Sequence, residues 1–168
     1  MLIKIYDVQF SYFKEKQYVY NLLLKNPMNT NPIIIIDDDK DDLQFLKEAF
    51  SDLEVENEIL AFEDGEEFIN YMRTTNKKCF FILCDINMNK INGLALKKKI
   101  YDDERLRLKC VPFLFFSTSS ASDSIMEAYS FGVQGYFVKP ASLGEYRHML
   151  KAMITYWGYS QHPNFLPG

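Results

Sequence analysis

Ile33-Ile34-Ile35-Ile36-Asp37-Asp38-Asp39 is the stretch that decides the fold. Four consecutive β-branched residues read as a strand buried on both faces, the kind that occupies the middle of a parallel sheet. Three carboxylates follow without a spacer, so this strand delivers charge to one end of the sheet. Beyond them Leu43, Leu46, Phe50 and Leu53 recur at helical spacing, with Asp39 placed to cap the helix. The strand-then-helix alternation repeats four more times. A strand near 58–62 precedes a helix at about 64–73, and a strand at 80–85 precedes a helix at about 93–101. A strand at 111–116 precedes a helix at about 122–131, and the last strand, 135–138, precedes a helix at about 142–157.

Regular βα alternation with short connections predicts a parallel sheet covered by helices on both faces, a (βα)5 doubly wound α/β fold. Such sheets bind ligands at the carboxyl ends of their strands. The first strand ends in Asp37 and Asp38, the third in Asp85, the fourth in the hydroxyl cluster Ser117-Thr118-Ser119-Ser120, and the fifth in Lys139-Pro140. Adjacent carboxylates at a strand end repel each other unless a cation lies between them, and hard oxygen ligands suit Mg²⁺. Asp39, Asp41 and Asp42 read more plainly, the first as a helix cap and the others as solvated acids. One of the four hydroxyls reads as the cap of the next helix. Lys139 alone would be a surface charge, but together with three acids and a hydroxyl it completes a site able to hold a phosphoryl group.

Taken together, Ile34 to Asp38, Leu83-Cys84-Asp85-Ile86-Asn87-Met88, Asn92-Gly93, Pro112 to Ser117 and Tyr136-Phe137-Val138-Lys139-Pro140 resemble the receiver domain of two-component response regulators, in that family's order. The resemblance covers about residues 33–157. It implies a five-stranded flavodoxin-like sheet of order 2-1-3-4-5 and a domain at 32–158, with an extension at 1–31 and a tail at 159–168. It further implies Asp85 as phosphoacceptor, with Mg²⁺ held by Asp37, Asp38, Asp85 and the backbone carbonyl of Asn87. Ser117 and Lys139 would bind the phosphoryl oxygens, Ser117 and Tyr136 would form the switch, and the Lys139–Pro140 bond would be cis. The donor would be a sensor histidine kinase or a histidine phosphotransfer protein, and the output a contact with a downstream protein or onward relay; a homodimer is compatible with this class. Two departures stand out. Asn89 replaces the proline usual after Met88, and the connections before Asp85 and Ser117 are slightly long.

The rest of the chain fits a stand-alone phosphoacceptor that acts on no separate substrate. Its 168 residues allow one compact domain plus an extension, and the 29 beyond Lys139 leave room for a helix and a tail but not for an output domain. At 48% hydrophobic and 25% charged residues it is an ordinary globular composition, not a disordered one. The net charge of −4 argues against nucleic acid as a partner, and no apolar run approaches the length of a membrane span. Cys79, Cys84 and Cys110 form no C-x-x-C pair and read as reduced core residues, which with the absence of a signal-peptide pattern predicts a cytoplasmic location. Residues 37–67 carry fourteen acids and two bases, whereas 73–109 carry ten bases and four acids, a polarity open to both a solvated and a functional reading. Two other classes compete. An aspartate-based phosphohydrolase of the haloacid dehalogenase type would use Asp37-x-Asp39, but Asp41 stands where such enzymes carry Thr or Val. An interaction module independent of phosphorylation has no need to hold repelling carboxylates together.

Residues 1–31 are aromatic without a clean period, and Met28-Asn29-Thr30-Asn31, directly before the first strand, reads as a native start. A chain beginning at Met28 is therefore expected to unfold as cooperatively as the full chain and to take up phosphoryl label equally well. Thermal unfolding and label incorporation of the two chains check this.

Overall fold

The computed structural model describes residues 30–165, so the expectations for Met28 and the preceding extension lie outside the described residues. The elements run β1 (Ile33–Ile36), α1 (Lys40–Asp52), β2 (Ile59–Phe62), α2 (Gly65–Thr74), β3 (Phe81–Cys84), α3 (Gly93–Asp102), α4 (Glu104–Lys109), β4 (Phe113–Ser117), α5 (Ser122–Ser130), β5 (Gly135–Val138) and α6 (Leu143–Tyr159), then a 3₁₀ turn at Pro163–Phe165. All strand pairs are parallel and the order is β2-β1-β3-β4-β5. This is the doubly wound sheet that the alternation predicts.

The strand β1 explains why both faces are covered. Ile33 and Ile35 point into a layer with Leu43, Leu46 and Phe50 of α1 and Leu150, Met153 and Trp157 of α6. Ile34 and Ile36 point the other way, into a layer with Phe68, Ile69 and Met72 of α2, Leu96 and Ile100 of α3, Leu106 of α4 and Ala128 of α5. A strand with period-two side chains and apolar residues at every position has no face left for water. Each of the four isoleucines is at most 1% exposed, and burying such a side chain contributes about 1.5–3 kcal/mol.

One element departs from the sequence expectation of five helices. The long connection before β4 contains α4, because Asp103 ends α3 and at once caps a new helix, accepting hydrogen bonds from the backbone N–H groups of Arg105 (3.0 Å) and Leu106 (3.2 Å). Caps at Asp39, Asp64, Asn92 and Ser142 open α1, α2, α3 and α6 in the same manner. The hydroxyl cluster does not cap α5. Its N-cap residue is Ala121, with no side-chain cap bond, and the Ser119 hydroxyl instead accepts from the Ala121 N–H at 3.3 Å.

The charge polarity resolves into pairing between elements. Lys77 meets Glu58 (2.8 Å), Lys90 meets Asp64 (2.8 Å), Arg73 meets Asp103 (3.1 Å) and Lys99 meets Glu66. Most of these side chains are well exposed, so water and salt screen the pairs and each adds little to stability. The pairs to Glu58, Asp64 and Glu66 close the basic segment onto the acidic one, whereas Arg73–Asp103 lies within the basic segment. All three cysteines are free and buried, and burial pushes the Cys110 thiol up to about 12. Asn164, beyond the last βα unit, is buried and donates to the carbonyls of Cys79 (3.2 Å), Lys109 (3.1 Å) and Val111 (2.6 Å), closing the end of the sheet opposite the acids.

Lys97 of α3 is 2% exposed, its ammonium lying 5.0 Å from the Phe113 ring centroid, and burial lowers its pKa to about 8 from 10.5. Between those values the unfolded chain binds a proton that the folded one lacks, so this group's contribution to stability rises with pH across that window. Lys97→Met is expected to stabilise the fold at neutral pH by about 1–3 kcal/mol, net of the lost ring contact. Its advantage over the natural chain should shrink as pH rises from 8 to 10.5. Denaturant unfolding of both chains at several pH values measures this difference.

Candidate functional site

The carboxyl end of the sheet is assembled by ladder bonds that run one residue beyond the strands. Asp37 N donates to Phe62 O (3.1 Å), Asp85 N donates to Ile36 O (2.9 Å), and Lys139 N donates to Ser117 O (2.8 Å). Each functional side chain therefore leaves the backbone at a position fixed by its neighbouring strand. Asn92 and Gly93 hold the loop after Asp85 in place. The Asn92 side chain accepts from Ala95 N at 2.8 Å and caps α3, while Gly93 N donates to Ile86 O at 2.9 Å. A Cβ on residue 93 would lie 2.3 Å from the Asp85 carbonyl oxygen, so only glycine permits this approach.

Lys139 is the centre of the arrangement. Its ammonium, on a side chain only 7% exposed, lies 2.8 Å from Asp37 Oδ2, 2.6 Å from Asp42 Oδ2 and 3.3 Å from Asp85 Oδ1. Burial works against its charge, but the hydrogen bonds to Asp37 and Asp42 and the fields of Asp37 and Asp85 outweigh it and hold its pKa above the usual lysine value. Asp37 is 3% exposed, and its pKa is raised because burial exceeds what Lys139 and the Asp39 N–H restore. Asp85 is buried and accepts at Oδ2 from Asn87 N, 2.7 Å away. Asp38 is half-buried and accepts at Oδ2 from both Asn89 N (2.7 Å) and Asn89 Nδ2 (2.6 Å).

Ser117 is fully buried, and its hydroxyl accepts from Ser119 N at 3.3 Å. The carbonyl of the same Ser119 accepts from the Tyr136 hydroxyl at 2.8 Å. Tyr136 stands directly across the ladder from Phe115 and packs against its ring at 6.2 Å. Ser117 and Tyr136 are thus joined through residue 119 and not by direct cross-strand pairing.

The sequence reading placed Asp37, Asp85, Ser117 and Lys139 at the same end of the sheet, and there they lie. It missed two residues. Asp42, in sequence a solvated acid, bonds Lys139. The signal was available: Asp42 precedes Leu46 by four residues and so shares the inward face of α1. Asn89 was noted only as a replaced proline, although an N–H and a carboxamide at that place are two donors that proline lacks. The expectation of a cis Lys139–Pro140 bond is not met. Among the described residues the cis peptide is Val111–Pro112, and Lys139 reaches the acids from a strand position already fixed by its bond to Ser117.

Residues 33–151 match the family described as response regulator receiver domain. The chain belongs to this family. Among curated relatives, the chain is similar to the probable methanogenesis regulatory protein FilR2 of Methanothrix harundinacea, with 26% identity over 78% of this chain and 86% of that one. It is also similar to the chemotaxis protein CheY of Pseudomonas aeruginosa, with 33% identity over 64% of this chain and 83% of the relative. Among solved structures, the phosphorylated cyanobacterial phytochrome response regulator RcpA superposes with a TM-score of 0.71 at 27% identity, covering 79% of this chain and 98% of that one. The Mn²⁺-bound response regulator Rcp1 shares the fold, with a TM-score of 0.68 at 21% identity, covering 82% of this chain and 99% of that one. No helix among the described residues is long and apolar enough to cross a membrane.

Lys139→Met would leave Asp37, Asp42 and Asp85 packed together without their cation. The expected loss of stability is about 3–5 kcal/mol in EDTA, the cost of breaking a buried ion pair, and less in millimolar Mg²⁺. Chemical denaturation in the two conditions checks both parts.

Proposed function

We propose that this receiver domain, residues 32–158, accepts a phosphoryl group on Asp85 from a histidine kinase or histidine phosphotransfer protein and answers with a change of conformation. The observation that carries this reading is the Lys139 ammonium set between Asp37 and Asp85 at the ends of three different strands. Receiver domains work with such kinases and phosphotransfer proteins. The downstream partner would be a protein reached by contact or relay, with Mg²⁺ as cofactor and the cytoplasm as the place of action.

The residues fit Mg²⁺ by their chemistry. Among the described residues no three acidic, histidine or cysteine side chains form a ready cage, but Mg²⁺ keeps several waters and takes one or two carboxylates. Asp38, Asp85 and the Asn87 carbonyl would hold it directly, with Asp37 beside them. When bound, the ion neutralises charge on the phosphoryl oxygens. Asp85 Oδ1 supplies the nucleophile. It forms an O–P bond as the P–N bond to the donor histidine breaks, and the imidazole nitrogen leaves with the bonding pair and takes up a proton. Lys139 carries the positive charge that a second phosphoryl oxygen meets, and Asn87 N holds the other Asp85 oxygen so that the attacking one keeps its direction.

The response runs through residue 119. Phosphorylation adds nearly two negative charges where one carboxylate stood. A Ser117 hydroxyl drawn to them gives up the Ser119 N–H, and the residue freed by that loss also carries, on its carbonyl, the acceptor of the Tyr136 hydroxyl. Val138 and Met126, both exposed on β5 and α5, lie on the elements that would display this change.

Acetyl phosphate in Mg²⁺ is expected to label Asp85 and nothing else. Mass spectrometry of the natural chain and of Asp85→Asn, each with Mg²⁺ and with EDTA, checks this; label on Asp37 would instead support a phosphohydrolase. With beryllofluoride, Ser117→Ala and Tyr136→Ala should still bind the mimic. Their amide shifts across α5 and β5 should be less than about half those of the natural chain.

A further inference from the structure

We propose that Asn89 is a positioning residue for the divalent cation, fixing the Asp38 carboxylate so that one chosen oxygen is offered to the ion. This rests on the reading of Asp38 as a metal ligand given above. The two residues are 51 positions apart and come from the loops after β1 and β3. Asn89 donates twice, from its backbone N–H at 2.7 Å and its carboxamide at 2.6 Å, and both bonds end on Asp38 Oδ2. A carboxylate oxygen offers two lone-pair directions, so Oδ2 is filled. Every hydrogen bond that Asp38 accepts among the described residues goes to that oxygen, which leaves Oδ1 as the one available to a cation.

Outer donors on a ligating carboxylate set its rotamer and reduce the entropy lost when the metal arrives. Here the donor has a second consequence. Asn89 lies two residues after Asn87, whose carbonyl is a further ligand, so the same two bonds tie the loop bearing that carbonyl to the end of β1. Asp38 and the Asn87 carbonyl are therefore held in register before any cation is present. The proline usual at this position provides neither donor, which makes the arrangement a property of this chain. The two bonds also offset the charge of Asp38 and leave the Lys139 ammonium to Asp37, Asp42 and Asp85.

Asn89 is exposed, and its replacement leaves the core intact. The test is calorimetric titration of MgCl₂ into the full chain. Asn89→Ala is expected to bind Mg²⁺ about tenfold more weakly, and Asn89→Ser, which keeps a side-chain donor, to recover part of the loss. Unfolding in EDTA should be the same for all three chains. Mg²⁺ binding by Asn89→Ala as tight as that of the natural chain, or tighter, would overturn the proposal, as would a loss that Asn89→Ser does not reduce and that accompanies a lower melting temperature in EDTA. Asp38→Asn separates the two readings. If it retains Mg²⁺ binding, the assignment of the metal ligands fails and the role of Asn89 with it. If it abolishes binding while Asn89→Ala does not weaken it, only the role of Asn89 fails.

Discussion

One ammonium group among three buried or half-buried carboxylates is the constraint on which the rest of this molecule depends. Parallel ladders set Asp37 and Asp85 side by side at the ends of β1 and β3, where their charges would repel in a poorly hydrated space. Lys139 relieves that repulsion from β5, reaching across the intervening β4. The interaction is satisfied only when three strands are in register, so the fold and the site impose one condition. It is also incomplete, because one positive charge faces Asp37, Asp42 and Asp85, with Asp38 close by. The remaining negative charge is what a divalent ion would neutralise.

The architecture behind this condition was legible because hydrophobic pattern controls it. A run such as Ile33–Ile36 can be buried only on both faces, and five repeats of strand and helix leave few topologies. The strand-end chemistry was legible for the same reason, since Asp37, Asp85, Ser117 and Lys139 each directly end or follow a recognised strand. What the sequence concealed depends on side chains meeting across loops. Asp42 reads as a solvated acid because its partner is 97 residues away. Asn89 was read as a missing proline, although its importance lies in the donors it adds opposite Asp38. The helix α4 was hidden in a connection that merely looked long, because Asp103 ends one helix and caps the next.

The acids of this site divide into two groups by the partner each has found. Asp37, Asp42 and Asp85 share the lysine, whereas Asp38 is held by the amides of Asn89. That division gives each change a defined cost. A phosphoryl group on Asp85 would compete with Asp42 for the same ammonium, which Asp38 does not share. On the other side of Asp85, Ser117 accepts from the Ser119 N–H and Tyr136 donates to the Ser119 carbonyl, so a movement at the buried hydroxyl would have one residue through which to reach the tyrosine. In the proposed function, the phosphoacceptor chemistry and the outward signal would thus begin at the same carboxylate and leave by different groups.

A crystal structure with Mg²⁺ and beryllofluoride would show where the lysine goes when a phosphoryl mimic is present. Beryllium is expected on Asp85, with the Lys139 ammonium moved from Asp42 onto a fluorine while keeping Asp37. Beryllium on another carboxylate, or Lys139 still bound to Asp42 with no contact to fluorine, would contradict this expectation.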